Sequence, residues 1–299
     1  MSKGVIKLNK ATIDTKWRVK MERKKRMQKL ALHLLLVVGS ILFMFPLIWL
    51  ISTSLKTPEQ IYKFPPDILP NPVRWLNYVQ MFEQFKFFLY LKNTLTVVIL
   101  VLAGVLLTAP LVAYSFSRLK WPGRNFLFYV LLGTMMIPAD ITRIPMYIFF
   151  SHIHWIDTYR PLWVPAWFGG GAFFIFLIRQ FLMTIPKDME DSALVDGAGY
   201  FTIYRKIMLP LIKPVLTTVA IFVFMGTWND FMGPLIYINT TGKFTLSLAL
   251  RLFQQNVNKD IQYGLLMAAT TVMTLPIIMF FFMGQKQFIE GVVLTGIKG

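Results

Sequence analysis

Between residues 184 and 213 the sequence gathers the groups best placed to do chemistry. It reads Ile185-Pro186-Lys187-Asp188-Met189-Glu190-Asp191-Ser192-Ala193-Leu194-Val195-Asp196-Gly197-Ala198-Gly199. Pro186 suits the first turn of a helix. The carboxylates of Asp188, Glu190 and Asp191 suit the positive N-terminal end of its dipole. Gly197 or Gly199 fits the left-handed position that ends such a helix. Met189 and Ala193 share a face, and Phe201, Tyr204 and Met208 continue a three-to-four spacing onto a second helix. A short exposed helix with small residues on one side can dock in a groove of another protein, or it can be a surface loop that helps pack its own bundle. The residues alone leave both readings open.

Other groups invite chemistry with less support. Trp228, Asn229 and Asp230 set an aromatic face, an amide and a carboxylate side by side. His152 and His154 stand two apart with Asp157 nearby, beside an interfacial Trp155, a weak case for a metal. Gly169-Gly170-Gly171 reads as a close-packing or flexible point between helices rather than a phosphate cradle, since no strand precedes it. Cysteine is absent, which excludes disulfides and thiolate sites.

What positions these residues is set by composition. Of 299 residues 56% are hydrophobic and only 15% charged, against about 25% charged in an ordinary soluble domain. The apolar residues fall in six runs, at about 30–52, 94–117, 125–150, 161–183, 211–232 and 263–284. Each is long enough to span the roughly 30 Å hydrocarbon core as a helix. Barrel strands would show shorter, alternating segments. Pro138, Asp140, Arg143 and Pro145 interrupt the third run, so it is expected to break near 140 into an irregular or interfacial piece.

The formal charge of +17 is distributed by topology rather than by a nucleic-acid-binding patch. Residues 1–29 carry eleven basic side chains and directly precede the first apolar run. With the N-terminus inside, 21 of the 31 Lys and Arg fall in inner segments, so both termini are expected in the cytoplasm. The chain then divides into a basic tail at 1–29, which is able to lie on the inner leaflet, and a first spanning helix at 30–52. An outer loop at 53–92 follows, then a core at 93–284 with the inner loop 184–213, and a C-terminal tail at 285–299. The 53–92 loop is proline-rich and then aromatic and amphipathic. The outer loop near 233–262 turns at Asn239-Thr240-Thr241-Gly242.

The inner loop resembles the cytoplasmic coupling motif of binding-protein-dependent ABC importer permeases: Glu-Ala-Ala, three residues, Gly, nine residues, Ile, one residue, Leu-Pro. Asp191-Ser192-Ala193, Gly197, Ile207 and Leu209-Pro210 match its anchors in spacing, with Asp and Ser replacing the first two residues. Asn93-Thr94-Leu95, Ala113 to Arg118, Ile144 to Tyr147, Trp228 to Phe231, Gln287 to Gly291 and Lys298-Gly299 are also similar to the maltose-type carbohydrate permeases. Within that family the likeness is to the subunit without a large extra outer domain.

The resemblance implies an all-α integral membrane protein with the type I importer permease fold, and a transport subunit rather than an enzyme. ATP and magnesium would be used by partner ATPase subunits, and this chain would bind no cofactor. Its expected partners are a second permease in a heterodimer, two ATPase subunits, an extracytoplasmic sugar-binding protein, the sugar and the bilayer. Glu190, Asp191, Ser192, Ala193, Asp196 and Gly197 would contact the ATPase, and Ile207, Leu209 and Pro210 would tie the loop to the fifth helix. Trp228, Asn229 and Asp230 are candidates for the sugar pathway, with Asp230 equally suited to capping a broken helix or pairing with the partner permease. Arg118 and Arg179, near the inner interface, read as snorkelling. A secondary transporter would want duplicated halves and an ion relay, of which only Asp140 and Asp230 are candidates. A membrane enzyme lacks a plausible set of catalytic side chains.

Overall fold

A computed structural model describes residues 2–255 and 263–296, with side chains at 21, from 24 to 254 and from 263 to 286. The described residues form helices and turns and no strand. The main helices are α1 (Ser2–Ser54), α2 (Leu76–Gln84), α3 (Phe87–Ser117), α4 (Arg124–Thr134), α5 (Ala139–His152), α6 (Ala172–Thr184), α7 (Asp188–Val195), α8 (Lys213–Trp228), α9 (Leu246–Gln255) and α10 (Tyr263–Gly296). Among them four stretches are long and apolar enough to cross a membrane, and six if the bent pairs at 124–152 and 200–228 each count as one span.

The centre is α3. Val97, Val101, Val105, Ala109 and Ala113 recur every fourth residue and are buried, so one stripe of small or β-branched side chains faces inward. Ile178 and Leu182 of α6, Ile203, Met208 and Ile212 of the 200–212 segment, and Val215 and Val219 of α8 close on that stripe. A second cluster joins Met81 and Phe85 to Phe224, Trp228, Leu246, Leu265 and Ala268. The amphipathic α2 therefore packs its inner face into the core rather than only resting at a surface. α1 leans on α10, and none of its apolar window is buried within this chain.

Four expectations shift. The basic tail and first span form one continuous helix from Ser2 to Ser54, and α10 runs to Gly296, well past 284. The third run breaks earlier than expected, between Thr134 and Ala139, with a bend of 97°, and its second half is a regular helix. Pro138 explains the position: it has no N–H to donate back and disfavours helical backbone in the residue before it. The fourth run is one continuous α-helix only from Ala172. Before it, Arg160–Trp163 and Val164–Trp167 are single turns, and Gly169, Gly170 and Gly171 all take positive φ. A Cβ on Gly170 would stand 2.8 Å from Val105 Cγ1, so this glycine both breaks the helix and lets the chain lie against α3. Lys298-Gly299 and residues 256–262 of the outer loop lie outside the described residues, as do the side chains of Gln287 to Gly291.

Candidate functional site: the 184–213 segment

The segment folds as a short helix, a left-handed turn and a second helix. Pro186 lies just before α7 rather than inside its first turn; Lys187 is the capping residue, and Asp188, Glu190 and Asp191 do occupy the first turn. Ser192 Oγ donates to the Asp188 carbonyl at 2.8 Å. At the C-terminus the Gly197 N–H reaches the Leu194 carbonyl at 3.0 Å and the Ala198 N–H reaches Ala193 at 2.9 Å. That paired closure requires a left-handed residue, and Gly197 supplies it with φ +81°. Gly199, at φ −74°, is extended and starts the next helix.

The segment has two sides. Ala193, Ile207 and Leu209 are partly buried against the α3–α6 cluster, and Tyr204 and Met208 are part of it. A π-helical turn at Tyr204–Met208 and a 73° bend at Ile212 then lead into α8, with Pro210 in the intervening turn. On the other side Asp191, Ser192, Asp196, Met189, Val195, Tyr200 and Phe201 are exposed. Phe201, which the three-to-four spacing grouped with Tyr204 and Met208, is one of these, whereas the other two are buried. With Leu194, five large apolar side chains of α7 and the turn after it are left exposed, and exposed apolar surface of this kind suits a partner.

Glu190 does not share that outward face. Its side chain is 13% exposed and Oε1 stands 3.5 Å from Nε of Arg118, which is 3% exposed. Burial pushes the Glu190 carboxyl upward, and the Arg118 charge opposes the shift. Arg118 Nη2 also donates to the carbonyls of Leu182 and, at 2.7 Å, Ile185. Arg118 is thus turned inward, where it ties the end of α3 to the end of α6 and to α7; it does not snorkel. Arg179 donates to the Phe116 carbonyl at 3.3 Å and lies 4.0 Å over the Phe128 ring.

The second candidate group comes apart. Trp228 is 1% exposed, stacks on Phe224 and donates from Nε1 to the Met273 carbonyl at 3.2 Å, so it packs the core. Asn229 is exposed and bonds back to Met225 at 2.9 Å. Asp230 lines a cavity of about 230 Å³ with Thr94, Leu162, Thr227 and Thr245, and its Oδ1 accepts the Gly233 N–H at 3.1 Å at the start of the Met232–Tyr237 helix.

Sequence reasoning missed several polar clamps. Asn93 Nδ2 donates to the carbonyls of Gly242 and Phe244, at 3.0 and 2.9 Å, and Thr94 Oγ1 accepts from Leu246 N at 2.8 Å. Asp157, which the histidines had drawn toward a metal, accepts from Lys243 Nζ and Thr240 Oγ1, both at 2.7 Å. Lys56 is 2% exposed with its ammonium 4.1 Å over Trp49, and burial lowers its pKa. An amide at Asn93, next to a predicted span, was the one visible signal, and its partners lie about 150 residues away.

Residues 101–292 match the family described as the binding-protein-dependent transport system inner membrane component. The chain is 30% identical over 274 residues to the arabinooligosaccharides transport system permease protein AraQ of Bacillus subtilis, covering 91% of this chain and 96% of that protein. It is 29% identical over 265 residues to the diacetylchitobiose uptake system permease protein NgcG of Streptomyces coelicolor, covering 88% and 87%. Its fold is similar to a chain of a bacterial ABC transporter involved in the import of the polysaccharide alginate, with a TM-score of 0.77 over 89% of this chain and 98% of that one, at 22% identity.

Proposed function

Because this chain belongs to the family of binding-protein-dependent transport system inner membrane components, we propose that it is the permease subunit of an ATP-driven importer for an oligosaccharide or glycoside. The AraQ and NgcG likenesses, both to permeases of saccharide uptake systems, support the substrate class. In this reading it sits in a prokaryotic cell membrane with six spans and both termini in the cytoplasm. It pairs with a second permease, receives sugar from an extracytoplasmic binding protein, and rests on two ATPase subunits that hold the ATP and magnesium.

The observation that carries the reading is the two-sided 184–213 segment. Its exposed Met189, Val195, Tyr200 and Phe201 offer an apolar surface to an ATPase cleft. Its buried side joins that surface rigidly to α3 through Arg118–Glu190 and to α8 through Ile207, Leu209 and Pro210. A push on α7 is then delivered to the helices as a rigid-body movement. Asp191, Ser192, Ala193 and Asp196 form the contact, with Gly197 setting its angle. On the opposite side of the bend, Asn229 and Asp230 face the sugar pathway while Trp228 holds their helix in place.

Co-expression with the adjacent genes and purification in nanodiscs tests this. The expected product contains a second permease and two ATPase copies, and its ATPase rate rises with sugar-loaded binding protein. A lone chain that moves solute in proteoliposomes without ATP would overturn the reading.

A further inference from the structure

Five cationic side chains converge on one cavity beside the foot of α7. It measures about 380 Å³ and is lined by Arg118, Lys120, Arg124, Arg179 and Lys187, with Met183 as an apolar wall. No carboxylate lines it among the described residues. Glu190 neutralises part of Arg118, and its field reaches Lys187 at longer range. Lys120, Arg124, Arg179 and Lys187 have no ion-pair partner among the described residues.

The fixed cations are aimed by neutral groups. Arg124 donates from Nη1 to the Leu119 carbonyl at 2.9 Å and from Nε to Asn125 at 3.3 Å. Arg179 is held by the Phe116 carbonyl and the Phe128 ring. Such partners orient a guanidinium and leave its charge in place. Several like charges around one concavity repel, more strongly where the walls are apolar, so the arrangement calls for an anion. Guanidinium forks suit phosphate oxygens.

A smaller hollow of about 250 Å³ adjoins it, sharing Lys120 and Arg124 and adding Trp121 and Phe126. Beyond it α4 exposes Phe126, Tyr129 and Val130, an apolar surface fit for acyl chains. A basic hollow with a tryptophan at its edge and apolar helix beyond is the layout of a headgroup site at a membrane interface.

We propose that this cavity binds the phosphate of an anionic phospholipid. The choice of inner leaflet rests on the importer reading, which puts α7 in the cytoplasm; the binding itself does not. Because Arg118 lines the cavity and also holds Glu190, an occupied cavity stiffens the seat of α7.

The test uses the purified full chain in neutral detergent, followed by native mass spectrometry and tryptophan fluorescence. It is titrated with phosphatidylglycerol, phosphatidylcholine and inorganic phosphate. Phosphatidylglycerol should bind and phosphatidylcholine should not. The double variant Lys120→Gln/Lys187→Gln, whose side chains are exposed, should weaken phosphatidylglycerol about tenfold. The charge-matched Lys86→Gln/Lys92→Gln at the start of α3, whose side chains are also exposed, should leave it unchanged. Three results would overturn the proposal: no preference for phosphatidylglycerol, inorganic phosphate binding as tightly, or equal loss in both variants. A chain that keeps the lipid but recruits no ATPase would sink the importer reading and leave this one standing.

Discussion

Arg118 does three things with one guanidinium: it satisfies the last carbonyls of α6, meets Glu190 of α7 and forms part of a cationic cavity. Glu190→Ala would therefore leave a nearly buried cation without its counter-charge. The carbonyl bonds remain, so the expected cost is about 2 kcal/mol, below the roughly 3–5 kcal/mol of a fully buried broken pair. Asp191→Ala, one residue on and exposed, should cost no more than about 0.5 kcal/mol. Thermal unfolding of the detergent-solubilised variants separates the two, and equal losses would count against the inward role of Glu190. Asp157 gives a pH prediction. The ammonium of Lys243, then the Thr240 N–H and hydroxyl, hold its carboxyl well below the usual range. A depressed carboxylate contributes stability that is complete above its unfolded pKa of about 3.9 and is lost as pH falls through its folded value. The clamp between 157 and 239–243 should thus hold from pH 8 to about 5 and loosen only in stronger acid. Asp157→Asn should lower Tm at pH 7, and its difference from the parent should vanish at low pH.

At the scale of elements, the two glycines of the 184–213 segment separate what a pattern can state from what only a backbone decides. Spacing admitted either Gly197 or Gly199 as the left-handed stop. Only Gly197, at φ +81°, closes the turn, and nothing lies within 4 Å of a Cβ built on either. Substitution there is a question of strain alone. Gly197→Val should cost about 1–2 kcal/mol in backbone strain and swing α7 away from its partner, reducing ATPase co-purification while membrane abundance stays normal. Gly199→Ala should change neither. A Gly197→Val complex with normal stoichiometry and sugar-stimulated ATPase would show that the turn does not set the contact. The two-helix form of 184–213 was legible because its signals are local: acids in a first turn, a glycine stop, an apolar repeat. The breaks were less so. Pro138 and its charged neighbours did announce a break near 140, but hydropathy is indifferent to a bend, so neither the 97° angle nor the regular helix beyond it could be read. The inward turn of Arg118 and Glu190, residues 72 positions apart, depends on how α3, α6 and α7 pack, which no local pattern carries.

For the molecule as a whole, the decisive quantity is how much apolar surface the single chain leaves uncovered. α1 exposes Leu35, Ile41, Leu42 and Phe43, and the α4–α5 pair exposes Met136, Ile141 and Ile144. Water cannot be the medium for surfaces of that extent, so lipid must cover them, with the helices of the proposed second permease taking a share. The proposed orientation rests on the distribution of the basic residues, and the chain's lack of cysteine makes it directly measurable. Phe64 and Val195 are 93% and 88% exposed, in the 53–92 loop and at the tip of α7 respectively. A single cysteine at Phe64→Cys should react with a membrane-impermeant maleimide in intact cells. One at Val195→Cys should react only after the membrane is opened, and more slowly when the ATPase subunits are bound. Reversed labelling would invert the topology and place α7 where no ATPase could reach it. Labelling of Val195→Cys unaffected by the ATPase would keep the topology but remove α7 from the contact.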